Sequence, residues 1–139
     1  KAAKLWRDFQ KEVLQGALET PHLTLFGNKL FSVPENVPGI NGLNVLRTGV
    51  WLATVKNNRL EPSHSLALAL KKEEVNRINH LNFEPGDKRL VLYLQGHVLE
   101  SEGESGWTLI TVSGYPLGWG KRSGRTVKNA YPKGLRRTP

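Results

Sequence analysis

Lys121, Arg122, Arg125, Lys128, Lys133 and Arg136 fall within one short stretch of the 139-residue sequence, behind Tyr115 and Trp119 and around Asn129. Ammonium and guanidinium groups hold phosphates, aromatic rings stack on bases, and a carboxamide can pair with a base edge. These are the parts of RNA recognition rather than of covalent catalysis. Gly118, Gly120, Gly124 and Pro132 punctuate the stretch, so fixed turns are expected where a plain basic tail would have none. Gly124 lies among Lys121, Arg122 and Arg125, where a backbone without a Cβ could approach a ligand closely. Two readings stay open at Trp119, a stacking platform or a closing core residue. Asn129 makes either a base contact or a local turn bond. Leu135 reads as core, with Tyr115 and Tyr131 half buried beside it.

The charge distribution supports a polyanionic partner. Residues 105–139 carry seven Lys and Arg and no carboxylate, whereas residues 1–104 balance 13 cations against 12 carboxylates. Such local asymmetry points to nucleic acid first and an anionic membrane second. The bland alternative is a solvated basic tail.

Other chemistries find little support. The sequence has no cysteine, which removes disulfides, thiolate nucleophiles and cysteine metal sites together, and leaves a reducing cytoplasm as the expected compartment. His22, His64, His80 and His97 lack metal-ligand spacing, and Ser63-His64-Ser65 has no Gly-x-Ser-x-Gly elbow around it. Glu100, Glu102 and Glu104 form too short a series for a calcium loop. Gly114, Gly118 and Gly120 lack the strand–turn–helix setting of a phosphate loop. No catalytic, cofactor or metal residues are therefore expected in this chain. No apolar run approaches the roughly 20 residues of a membrane span, so a soluble chain with no membrane partner is expected. The sequence also contains no methionine, so Lys1 is not expected to be a translated start and the chain reads as cut from something larger.

The elements that must carry the basic stretch follow from periodicity. Residues 2–18 repeat apolar side chains at helical spacing through Leu5, Phe9 and Val13. Residues 23–33 form two β-favouring runs around Gly27-Asn28, a pair suited to a type II′ hairpin with Leu25 opposite Leu30. One or two strands are expected in residues 43–56, with turns at Asn57-Asn58 and Pro62. A second helix is expected in residues 63–78, capped by Ser63 or Ser65, with Glu73 and Glu74 able to open a separate short helix. From residue 85 the pattern reads as β throughout: a Pro-Gly-Asp turn, then KRLVLYLQGHVL, the acidic loop and WTLITVSGY. Tyr115 to Gly120 suits a tight hairpin whose rings project to one side. The expected fold is α+β: an N-terminal helix and β-hairpin leading into a small mixed or antiparallel sheet over residues 1–70, then a small β-barrel over 71–139.

The ending GYPLGWGKRSGRTVKNAYPKGLRR resembles the terminal PUA-like domain of RsmF-type methyltransferases of the Nop/Sun group, which methylate carbon 5 of cytosine in ribosomal RNA. Upstream, LRTGVWLATVKNNRLEPSHSLALAL and YLQGHVL are similar to the preceding C-terminal segments of those proteins, so the resemblance covers about residues 43–137. It implies an RNA-binding region that docks substrate beside a catalytic domain on the same polypeptide, which would use S-adenosylmethionine. The family motif falls on Gly118, Lys121, Lys128, Asn129, Pro132, Lys133, Gly134 and Arg136. The departure is large: the family uses a cysteine nucleophile and a glycine-rich cofactor loop, and this chain has neither. It is expected to be the noncatalytic C-terminal part, or a stand-alone relative that has lost the enzyme.

Two functions compete on these grounds. In the first, Lys121, Arg122, Arg125, Lys128, Lys133 and Arg136 bind the phosphates of RNA, ribosomal RNA foremost, while Trp119 or Tyr115 stacks. In the second, the basic face docks on protein, either a catalytic domain or the chain's own acidic loop at Glu100 to Glu104.

Overall fold

The computed structural model describes residues 1–16, 22–33 and 50–137. Expectations for residues 17–21 and 34–49, including the first strand run after Gly42, lie outside the described residues. Helix α1 (Ala2–Val13) turns Trp6, Phe9, Gln10 and Val13 inward, the stripe its apolar spacing implies. Strands β1 (His22–Phe26), β2 (Lys29–Val33), β3 (Val50–Lys56) and β4 (Arg59–Pro62) form an antiparallel sheet in sequence order. Leu25 does pair with Leu30. Gly27 has φ +61°, so it supplies the left-handed residue that the β1–β2 turn needs. At the β3–β4 turn both central residues take positive φ, 48° at Asn57 and 63° at Asn58, which asparagine tolerates better than most side chains.

The second helix is shorter than its pattern predicts. Helix α2 covers only His64–Ala69, with the Ser63 side chain accepting from the Leu66 amide. Leu70 is already extended. Glu74 accepts from the Lys71 amide and opens a separate turn at Lys72–Glu74, as its placement suggested. A tertiary contact explains the break: Val75 forms a bridge with Leu14, and the Gln15 and Asn76 amides bond to Glu74 and Val13 carbonyls. Pairing with the end of α1 holds these residues extended, which overrides local helix preference.

The remainder curls into a five-stranded half-barrel ordered β5-β7-β8-β9-β6. Its strands are β5 (His80–Phe83), β6 (Leu99–Glu100), β7 (Gly106–Val112), β8 (Tyr115–Ser123) and β9 (Thr126–Asn129). All neighbours run antiparallel except β5 and β7. The all-β expectation fails at KRLVLYL, which is helix α3 (Lys88–Leu94). Asp87 caps it by accepting from the Arg89 amide at 2.8 Å, and Gly96 at φ +94° ends it. An unbroken apolar run fits a strand or a buried helix equally; only the flanking Asp and Gly tell them apart. The expected hairpin at Tyr115 to Gly120 is likewise one continuous strand, its turn lying earlier at Ser113-Gly114.

Two apolar clusters result. Phe83, Leu99, Ile110 and Val127 fill the half-barrel with Tyr93 from α3. Leu109 and Trp119, on the opposite face of β7 and β8, join Trp6, Phe9, Leu30, Leu52 and Leu66 in a larger core. The first sheet, α1, α2 and the half-barrel therefore share one core, and β8 is its common wall. Gly118 on β8 leaves room for the Tyr93 hydroxyl, which would lie 2.5 Å from a Cβ there and which donates to the Trp119 carbonyl at 2.9 Å. Burial pushes the Tyr93 phenol far above its ordinary value of 10.0, so it stays a donor. Gly118→Ala is expected to cost about 1–3 kcal/mol through overpacking, read as a lower urea midpoint with an unchanged m-value.

Candidate nucleic-acid interface

The basic stretch divides into residues the fold consumes and residues it leaves outside. Trp119 is consumed: it is 1 % exposed, meets Phe9 edge-on at 5.8 Å between ring centres, and donates its indole N–H to the Ser63 carbonyl at 2.8 Å. The stacking-platform reading of Trp119 is thereby corrected. Arg122 is also buried, 6 % exposed. Its guanidinium donates to the Ile78 carbonyl at 3.1 Å and the Ser101 hydroxyl at 3.0 Å, so it braces the acidic loop instead of facing a phosphate. Asn129 makes the local bonds: its Nδ2 donates to the Tyr93 and His97 carbonyls, and its Oδ1 accepts from the Tyr131 amide. Arg136 donates from Nε to the Tyr131 carbonyl and lies across Gly96. Gly118 serves packing, as does Gly120, whose missing Cβ would strike Val127. These glycines are filled by protein, so they do not suit an S-adenosylmethionine loop.

Five of the expected residues remain outside: Tyr115, Lys121, Arg125, Lys128 and Lys133. Gly124, at φ +63°, serves the turn between β8 and β9. Arg125 beside it pairs with Glu102 at 3.1 Å, both side chains largely exposed, a contact that solvent makes weak. Tyr115 is 74 % exposed at the other end of β8, and Leu135, expected as core, is 52 % exposed on the turn after Pro132. That single turn is tethered through the backbone, by Arg137 N–H to the Leu94 carbonyl, so its side chains need not be buried to hold it.

Lys121 and Lys128 are brought together. They are direct cross-strand partners on the β8–β9 ribbon, both exposed, and neither has an ion-pair partner among the described residues. Like charges placed directly opposite are destabilising, so setting these two lysines against each other does not help the fold. Lys121 also sits 5.2 Å from the ring centre of Trp107, its partner on β7. Trp107 is half-buried and was missed as a site residue, because its role comes from the β7–β8 register and not from the basic stretch itself. Trp107, Lys121 and Lys128 line one wall of a cleft of about 400 Å³.

Two histidines sit where the half-barrel meets its neighbours. His64 packs edge-on against Tyr131 at 5.7 Å with its Nδ1 buried and unpartnered. The His80 Nε2 lies 2.7 Å from the Thr111 hydroxyl, which donates to Asn82. Burial lowers both from the ordinary 6.5; at His80 Lys72 adds to the effect and Glu73 opposes it. Among the described residues no group of three His, Asp or Glu side chains converges as a metal would require. No helix among them is long and apolar enough to cross a membrane.

Fold and surface together define an α+β region that ends in a half-barrel with a basic outer ribbon. Residues 80–137 match the family described as the methyltransferase RsmF PUA domain. Residues 8–70 match that described as the RsmF rRNA methyltransferase first C-terminal domain. The two matches span most of the chain, which belongs to the RsmF methyltransferase family as part of its C-terminal region. No curated protein matches it as a relative.

The lowered histidines give a pH prediction. The folded state binds fewer protons than the unfolded chain below pH 6.5, so stability is full above that value and falls as pH drops through the folded pKa values. Thermal unfolding at pH 7.5 and 5.0 should show a lower midpoint in acid, and a His64→Gln, His80→Gln double variant should show a smaller difference.

Proposed function

We propose that this chain is the RNA-binding accessory region of an rRNA methyltransferase, holding substrate RNA for a catalytic domain that binds S-adenosylmethionine. The observation that carries this reading is the opposed Lys121–Lys128 pair, exposed and without an ion-pair partner among the described residues, on the ribbon of a PUA-type half-barrel. A phosphate between two ammonium groups removes their mutual repulsion and gains from both, so the pair is stable in the presence of a polyanion. Catalysis belongs elsewhere in this reading, which the descriptions of the two matches, a PUA domain and a first C-terminal domain, support.

Protein docking, the competing function, draws support from the acidic loop, which engages Arg125 through Glu102 and Arg122 through Ser101. That engagement stops short of Lys121 and Lys128, which favours RNA. Anisotropy titrations of a ribosomal RNA fragment against salt separate the two. Replacing Lys121 and Lys128 together with alanine should weaken binding and flatten the log–log salt slope by about 1.4 for a single strand to 1.8 for a duplex, the share of two phosphates. Undiminished binding by the folded double variant would instead favour docking on protein.

A further inference from the structure

We infer that the cleft beside Lys121 and Lys128 is a composite track for single-stranded RNA, built jointly by the half-barrel and the first sheet. This deepens the RNA-binding reading and rests on it. The wall opposite the β8–β9 ribbon is β4, through Arg59 to Pro62. Arg59 therefore adds a third cation to Lys121 and Lys128, from a segment more than sixty residues earlier in the chain.

Lys56 and Arg59, which flank the β3–β4 turn, are also direct cross-strand partners, but there Glu61 pairs with Lys56, and of the two Arg59 lines the cleft. Among the described residues the lining contains one carboxylate, Glu61, which Lys56 holds at 3.6 Å with both side chains about half exposed. Three cations against one already-engaged carboxylate is an anion-attracting balance, and low-dielectric walls on two sides concentrate its field. Trp107, whose neighbour Lys121 it positions, adds an aromatic surface at the same place, the pairing of charge and ring that single-stranded nucleic acid uses.

Size sets the strandedness. A volume of about 400 Å³ lies at the low end of the range of sites that bury one small ligand, about 300–1,000 Å³. It admits a nucleotide or two of a separated strand and not a paired helix, which would have to lie across the rim. Both walls belong to one shared core, so the cleft is held open at a set width. The chemistry recognised is a phosphodiester backbone with an unpaired base, whatever its sequence.

Anisotropy with a labelled unstructured oligoribonucleotide and a hairpin of matched length tests this on the whole chain. Arg59→Ala should weaken single-strand binding and lower the salt slope by about 0.7, one phosphate's share. Glu61→Gln should tighten it by about threefold to tenfold at low salt, since a like charge leaves the track, a gain that misfolding cannot imitate. The hairpin should bind more weakly than the single strand. If Arg59→Ala and Glu61→Gln are silent while the Lys121, Lys128 double variant loses affinity, RNA binding stands and the composite cleft is wrong. If all three are silent, the RNA reading falls and takes the cleft with it. A hairpin that binds as tightly as the single strand overturns the single-strand assignment.

Discussion

One buried hydrogen bond, from the Trp119 indole to the Ser63 carbonyl, ties the half-barrel to everything before it. Ser63 is committed in three directions: its carbonyl accepts Trp119, and its hydroxyl accepts from the Leu66 amide while donating to the Trp51 carbonyl. It thus joins β3, the start of α2 and β8 at a single residue. An indole N–H buried without a partner would cost about 1–3 kcal/mol, so β8 is held where that bond can form. Phe9 against the ring edge and Trp6 stacked on Phe9 at 5.7 Å extend the same contact into α1. Because Trp119 points inward, Lys121, two residues on along the strand, shares its face but emerges beyond the core beside Trp107. This anchor and the core shared by Leu60, Leu109 and Trp119 together set the basic ribbon relative to β4.

That constraint divides the labour among residues of identical type. Arg122 and Lys121 are adjacent in sequence, yet strand alternation sends one inward, against Ile78 and Ser101, and the other to the cleft. Asn129 ends β9 and stitches α3 to the sheet, leaving Lys128 before it outside. Buried and exposed side chains therefore alternate along the same two strands, the exposed ones carrying the charge proposed to bind. The Trp119 ring that could have stacked on a base secures the seam, and Trp107 takes the place beside the lysines.

Much of the local structure is written in short-range signals. Gly27-Asn28, Asn57-Asn58 and Ser63 are legible because each backbone conformation or cap depends on the residue itself. The Lys88–Leu94 helix was obscured by an apolar run that suits either structure, although Asp87 and Gly96 flanked it in plain sight. The site was legible as a region but not as a surface. Burial of Arg122 depends on partners 44 and 21 residues away, and the hydrogen bonds that occupy Asn129 reach partners 36 and 32 away. No local pattern distinguishes those side chains from Lys121 and Lys128. Arg59 lay outside the basic stretch altogether and joins it only because β4 and the β8–β9 ribbon line the same cleft.

Ultraviolet cross-linking of a single-stranded oligoribonucleotide, with attachment sites mapped by mass spectrometry, asks most directly where RNA lies on this molecule. Cross-links are expected on the peptides that carry Trp107, Lys121 to Lys128 and Arg59 to Pro62, with Trp119 unmodified. Attachment confined to α1 or to the β1–β2 hairpin, with the cleft peptides clean, would contradict the assignment of the Lys121–Lys128 ribbon as the RNA-facing surface.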